Sequence, residues 1–488
     1  MISQEMYQLG AKRSCIRELF EYGLALARRI GPENVFDYSL GNPSVPAPAQ
    51  VGQALAELAE SDPVALHSYT PAGGSLALRK TVAADISRRS GMEVRPEDLF
   101  FTCGAAPALT AVFTALRVEG SEILAIAPCF PEYGVFVRGS GSRFILVPPD
   151  LERFQIPLEA LEARITPNTQ AVIINSPNNP SGVIYSRESL ERLAALLRRK
   201  SRDNGRPIYL IADEPYRELA YDGAEVPFVP GIYANTVICY SYSKSLSMPG
   251  ERIGYVCIPS CVEDHDLLMA AVMGAARTHG HVCAPSMMQQ VIARSTGLRP
   301  DLEAYDRNRR LLYQSLTDFG YRCVKPEGAF YLFVKAPGGD AQAFSDRAKQ
   351  LGLLIVPGDD FGCPGYFRLS TCVDHDMIRR SLPLFRQLLQ KGRPRGGGPS
   401  AALRRAAFIP KAKSGTDPDT PDCRPPRRAA SAAGSAERSA SASASAPPPD
   451  TRRRPGKRAK GWPRQRTAES ASGFRPASPH IYSRSFPA

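Results

Sequence analysis

Lys244 stands in Ser241-Tyr242-Ser243-Lys244, directly after a short apolar run, residues 236–240. That run reads as a buried strand. Arg252 follows, then Gly254-Tyr255 and a second apolar run. A lysine amine at the end of a buried strand can form a Schiff base with a carbonyl cofactor. Ser241, Ser243 and Arg252 can hold that cofactor's phosphate, the arginine through a two-pronged hydrogen-bonded pair. The bland alternative is a surface lysine in a polar turn, because short motifs recur by chance.

The elements that must position such a site are legible around it. Short apolar runs recur at 99–102, 123–127, 144–147, 171–175, 208–212, 237–240 and 254–258. Helical patterns lie between them, as at 188–200, where Leu190, Leu193 and Leu197 share one face. Buried strands alternating with amphipathic helices predict an α/β fold with a mostly parallel seven-stranded sheet flanked by helices. Ligands bind beyond the carboxyl ends of such strands. Cys103-Gly104-Ala105-Ala106-Pro107 lies there and opens a helix, where backbone N–H groups can meet an anion. So do Phe130 in its Pro-rich stretch, Asn178-Asn179-Pro180-Ser181-Gly182, and Asp213-Glu214-Pro215-Tyr216.

Four segments are expected. Residues 1–45 form an N-terminal segment with a helical pattern around Ile16, Leu19, Phe20, Gly23, Leu24 and Ala27. Residues 46–290 form the large domain. Residues 291–390 form a smaller α/β domain, and 284–320 read as helical with Tyr305, Leu311, Leu312 and Leu316 packing inward. Residues 391–488 are rich in Arg, Pro, Ser and Ala and read as a disordered basic tail. The chain of 488 residues carries a net charge of +13, but the tail alone holds 21 Lys+Arg against 6 Asp+Glu. The body therefore has 40 basic and 42 acidic residues, a net −2, which excludes a body-wide nucleic-acid footprint. No apolar run is long enough to span a bilayer, and the start has no export pattern. The cysteines are scattered singly with no metal-ligand spacing, so reduced thiols, no metal and a cytoplasmic location are expected.

Four motifs in order, Asn179-Pro180-Ser181-Gly182, Asp213-Glu214-Pro215-Tyr216, Ser241-Tyr242-Ser243-Lys244 with Arg252, and Phe367-Arg368-Leu369-Ser370, resemble the class I/II aminotransferases. These are pyridoxal-phosphate enzymes of the aspartate aminotransferase fold (fold type I), and the likeness covers roughly residues 1–390. The resemblance implies pyridoxal 5'-phosphate as cofactor and a role for each residue. Lys244 would be the Schiff-base lysine and the general base. Asp213 would sit under the pyridine nitrogen; the alternative is a helix N-cap. Tyr216 and Asn179 would donate to the ring hydroxyl; a core tyrosine and a turn asparagine are the alternatives. Phe130 would stack on the ring, or is a core aromatic. Gly104, Ala105 and Ala106 resemble the phosphate-binding helix start, or make an ordinary turn. Arg368 would clamp the substrate carboxylate with its planar fork, or is an exposed arginine at a strand edge; Gly41 resembles the glycine whose backbone faces that carboxylate, or is a turn glycine. Tyr69 resembles a tyrosine that reaches the phosphate of a neighbouring subunit, which implies a homodimer with shared sites.

The reaction implied is transfer of an amino group from an α-amino acid to a 2-oxo acid such as 2-oxoglutarate, with ping-pong kinetics. A lyase or decarboxylase on the same fold is the alternative, since the motifs do not decide which α-carbon bond breaks. A nucleic-acid-binding regulator using the basic tail is a third reading. The residues that would read the donor's side chain lie outside the motifs, so the sequence does not name the donor.

Overall fold

The computed structural model describes residues 2–11 and 15–391; the expected tail falls outside the described residues, apart from Lys391. Seven strands form the main sheet: β1 (Leu99–Thr102), β2 (Glu122–Ile126), β3 (Arg143–Val147), β4 (Thr169–Asn175), β5 (Tyr209–Asp213), β6 (Thr236–Ser241) and β7 (Gly254–Cys257). Their spatial order is β1-β7-β6-β5-β4-β2-β3. Only β7 runs antiparallel to its neighbours; the other pairings are parallel.

Strand alternation divides the core between the two faces of this sheet. Leu124, Val172, Leu210 and Ile238 point to one face, where the helices Leu76–Ser90, Arg187–Asn204 and Ser286–Ser295 cover them. Ile123, Ile173, Ile211 and Val237 point to the other, under Ala105–Ala115, Glu132–Gly139 and His265–Thr278. Arg187–Asn204 shows why these segments are helical. The Ser186 hydroxyl caps its start by accepting from the Ser189 N–H, Gly205 ends it in the left-handed region, and Leu190, Leu193 and Leu197 bury one face. Truncating a leucine such as Leu197 to alanine costs about 2–5 kcal/mol.

A second sheet has four antiparallel strands in the order Val356–Pro357, Tyr366–Ser370, Tyr331–Lys335 and Arg322–Cys323. The helices Leu302–Phe319, Ala341–Lys349 and His375–Lys391 pack beside it, with Phe344, Phe367 and Phe385 in the shared core. Phe36–Asp37 pairs in parallel with Leu353–Leu354, and two helices precede it, Gln4–Ala11 and then Cys15–Ile30. Leu19, Gly23 and Leu26 are the buried positions of the second helix, whereas Leu24 is 49% exposed.

Two readings of local structure change. The stretch 284–320 is two helices, Ser286–Ser295 and Leu302–Phe319, parted around Gly297 and Pro300, which punctuate helical patterns. Asp213 ends a strand and caps no helix, because the chain turns at 215–218 instead. Among the described residues, no helix is long and apolar enough to cross a membrane, and no cluster of His, Cys, Asp or Glu could hold a metal ion.

Candidate active site

The carboxyl ends of β4, β5 and β6 lie side by side, with Asn175 opposite Asp213 in register. One cleft opens there, lined by Ala105, Ala106, Phe130, Asn179, Asp213 and Tyr216, and by Ser241, Ser243, Lys244 and Arg252. Ten of the expected site residues therefore share one cleft.

Asp213 is buried at its floor. Its Oδ2 accepts from the Tyr133 hydroxyl at 2.5 Å, and its Oδ1 has no partner. Burial pushes the carboxyl up to about 7, the Tyr133 hydrogen bond opposes the rise, and the Glu214 charge adds to it. An unpartnered, buried carboxylate oxygen calls for a cationic or N–H partner. Asn175 fixes the strand end by donating from Nδ2 to the Asp213 carbonyl at 2.8 Å.

Lys244 sits on the short helical turn Tyr242–Ser245, which Ser241 caps by accepting from the Ser243 N–H at 3.2 Å. Its Nζ donates to the Gly41 carbonyl at 2.5 Å and lies 5.7 Å from the centre of the Phe330 ring. Burial lowers its pKa to about 8; Cys372 opposes that, and the Arg252 and Arg368 charges reinforce it. A side chain at Gly41 would strike Tyr331, so only glycine fits there.

Beside the lysine is a cluster of donors. The Ser241 and Ser243 hydroxyls are 2.7 Å apart, and Arg252 donates to Ser243 Oγ at 3.2 Å. Arg252 has φ +54°, a left-handed conformation unusual for a residue with a side chain. Its guanidinium lies against Gly104, where a Cβ would meet Nη2 at 2.7 Å. Gly104 precedes the helix Ala105–Ala115, whose first N–H groups have no side-chain cap. A helix start with free N–H groups, two hydroxyls and a guanidinium makes a site for a phosphate-sized anion.

Arg368 comes from the second sheet and is almost fully buried. It donates to Asn179 Oδ1 at 3.0 Å and to the Ser39 carbonyl, while its Nε has no partner. Tyr331 and Phe361 flank it, with ring centres 4.6 Å and 5.1 Å from Cζ. The Tyr216 and Tyr331 hydroxyls are 3.0 Å apart. Phe130 packs edge-on to Tyr133 and faces the cleft. Tyr69 is not among the residues lining the cleft; it is 87% exposed on the surface.

Sequence reasoning missed Tyr133, Asn175, Ser39, Tyr331 and Phe330. Asn175 could have been found, since it ends an apolar run as Asp213 nearly does. Tyr133 lies in the stretch singled out around Phe130, with nothing local to separate it from a core aromatic. Ser39 and Tyr331 reach the site only through tertiary packing.

The family described as aminotransferase class I and II matches residues 33–382. A probable aspartate/prephenate aminotransferase of Thermus aquaticus is 34% identical over 333 residues, 66% of this chain and 84% of the relative. A probable N-acetyl-LL-diaminopimelate aminotransferase of Bacillus subtilis is 30% identical over 361 residues, 72% of this chain and 88% of the relative. Among solved structures, an aminotransferase from Eubacterium rectale matches with TM-score 0.79 at 52% identity, covering 81% of this chain and all of that one. Aspartate aminotransferase from Thermus thermophilus with maleate matches with TM-score 0.70 at 28% identity, covering 80% of this chain and all of that one. With strand order, cleft and relatives in agreement, this chain belongs to the class I and II aminotransferase family and is an aminotransferase.

Proposed function

We propose that the protein is a pyridoxal-phosphate-dependent aminotransferase that moves the amino group of an α-amino acid to a 2-oxo acid, 2-oxoglutarate being the expected acceptor. One observation carries this reading. A single cleft holds an unpartnered buried carboxylate oxygen, an amine of lowered pKa and an anion cradle. Pyridoxal phosphate has a ring nitrogen, an aldehyde and a phosphate, one for each. When bound, it draws electrons from the substrate α-carbon through its protonated ring, chemistry no side chain supplies.

The chain's own residues do the rest. Asp213 Oδ1 keeps the proton on the ring nitrogen. Phe130 covers the ring face. Tyr216 and the amide N–H groups of Asn179 donate to the ring hydroxyl. Gly104, Ala105 and Ala106 with Ser241, Ser243 and Arg252 hold the phosphate. Arg368 takes the substrate carboxylate beside Gly41. Lys244 would hold the cofactor through its Nζ. That amine, when free, would move the substrate α-proton as base and then acid. Two half-reactions on one site give ping-pong kinetics. The exposed Tyr69 reaches the phosphate of a neighbouring copy in a cytoplasmic homodimer.

The test is visible absorbance of the purified protein with pyridoxal phosphate, as amino acids are added singly. The names of the relatives make aspartate the first donor to try and prephenate an acceptor to set beside 2-oxoglutarate. A yellow band that bleaches with one donor and returns with 2-oxoglutarate is expected. Release of ammonia or carbon dioxide from the amino acid would make the enzyme a lyase or decarboxylase. A protein that takes up no cofactor would overturn the reading.

A further inference from the structure

The turn that carries Lys244 has a back as well as a front. Ser243 and Lys244 face the cleft, while Ser245 is 2% exposed on the other side. There Ser245 Oγ lies 2.8 Å from the Tyr240 hydroxyl, which lies 2.9 Å from Glu218 Oε2. Arg89 reaches Glu218 Oε1 at 3.1 Å and Asp85 at 2.8 Å. Tyr240 has one hydroxyl proton, and a carboxylate only accepts. The proton therefore goes to Glu218, and Ser245 donates to Tyr240. Tyr240 itself cannot swing, because it stacks on Tyr255 at 4.9 Å and meets Tyr242 edge-on at 5.0 Å.

Glu218 belongs to the turn at 215–218, which also carries Tyr216 on the cleft side. The two turns follow adjacent strands, β5 and β6. Each thus lines the cleft on one side and puts one residue, Glu218 or Ser245, into the hydrogen-bonded chain behind it. Only 9% of the Glu218 side chain is exposed, and a carboxylate so placed is costly unless well partnered. An apolar contact would fill this space at less cost but would not fix the rotation of a four-residue helical turn.

We propose that Glu218, acting through Tyr240 and Ser245, is a positioning residue that sets Lys244 Nζ in register with Tyr216 and Asp213. The inference rests on the reading of Lys244 as the reactive amine. Arg89, Tyr240, Arg217, Tyr242, Tyr255 and Asp85 are the titratable and charged groups around Glu218. Cys372, Arg252 and Arg368 act on Lys244, with Asp213 and Tyr216 in the same cleft.

The test uses the full-length protein without added cofactor. Acetylation of Lys244 by acetic anhydride is followed by peptide mass spectrometry across pH, so the midpoint reports the amine directly. The wild type is expected to give a midpoint near 8, below the ordinary 10.5. Tyr240→Phe and Ser245→Ala each free the turn, so the amine gains water and the midpoint rises by on the order of one pH unit. The double variant shifts no further than the larger single one, since both cut one chain. Glu218→Met shifts it likewise, and Glu218→Gln, which keeps a carbonyl oxygen for Tyr240, restores it. Lowered melting temperatures with a wild-type midpoint in every variant would make the chain structural only and overturn the proposal; so would shifts that simply add. Failure of the aminotransferase reading would show elsewhere, in a wild type with no spectral response to pyridoxal phosphate.

Discussion

The site has a buried anion, Asp213, in the lining of the cleft and a buried cation, Arg368, that meets the lining through Asn179, and the fold treats these two ends differently. Asp213 keeps one oxygen on Tyr133 and leaves the other unpartnered. Burial is tolerated because the carboxyl can take up a proton, and its pKa rises to about 7 accordingly. Arg368 has no such escape, since a guanidinium stays charged. The protein instead surrounds it with an amide oxygen, a carbonyl and two aromatic faces, leaving only Nε without a partner. A group that can titrate can thus be left half-open for its ligand, while a permanent charge must be solvated by the fold. Lys244 follows the first pattern, losing affinity for its proton on burial.

The most severe way to break this arrangement is to remove the reactive amine. Lys244→Ala abolishes turnover, checked by 2-oxo acid formation, while circular dichroism shows the fold intact. Asp213→Asn is next, with turnover falling roughly a thousandfold, because no anion then holds the proton on the ring nitrogen. Its stability effect has the opposite sign. A carboxyl whose folded-state pKa lies above its ordinary 3.8 favours the folded state only while protonated. Wild-type stability without cofactor therefore falls as pH rises from about 4 to about 7, by on the order of 4 kcal/mol. The amide introduced by Asp213→Asn can still accept from Tyr133 and escapes that loss. The variant without cofactor melts several degrees higher than wild type at pH 8, with the gap closing toward pH 4. A gap independent of pH would mean that Asp213 ionises freely in the fold.

At the other end, Arg368→Lys raises KM for the amino acid roughly a hundredfold, because an ammonium cannot span Asn179, the Ser39 carbonyl and a carboxylate together. The deficit persists at every pH between 6 and 9, since it comes from the lost fork geometry and not from a change of charge. A lysine variant that recovers at one pH would break the contrast between the two ends.

How much of this could be read from the sequence follows the same division. Asp213 and Lys244 stand at or just beyond apolar runs, and strand ends in a parallel sheet are where ligands bind, so both were visible with Ser241 and Ser243. The surroundings of Arg368 were not. Ser39 comes from the N-terminal segment and Tyr331 from the second sheet, and no local period links them to residue 368. The main sheet was legible because its strands, apart from the part-exposed Arg143–Val147, are buried on both faces and carry short apolar runs. Leu24 shares the apolar pattern of its helix yet is exposed, because only the Leu19, Gly23 and Leu26 stripe meets the body of the protein.

The mildest perturbation is the sharpest probe of the titratable end. Tyr133→Phe removes one hydroxyl and leaves the ring, which packs beside Phe130. Asp213 then has no side-chain donor on either oxygen in the protein without cofactor. The Tyr133 hydrogen bond holds the Asp213 pKa down against burial, so its loss lets that pKa climb above about 7. Because the cofactor is taken up against Asp213 as an anion, affinity for pyridoxal phosphate drops about tenfold near pH 7, the worth of one hydrogen bond to a charged group. At pH 9 the carboxyl ionises regardless, and the deficit narrows to a fewfold. Cofactor affinity measured from pH 6 to pH 9 thus gives a variant whose acidic limb moves to higher pH while its plateau nearly meets the wild type. A uniform loss across that range would mean that Tyr133 acts by packing against Phe130, and that the two ends of the site are held rigid in the same way.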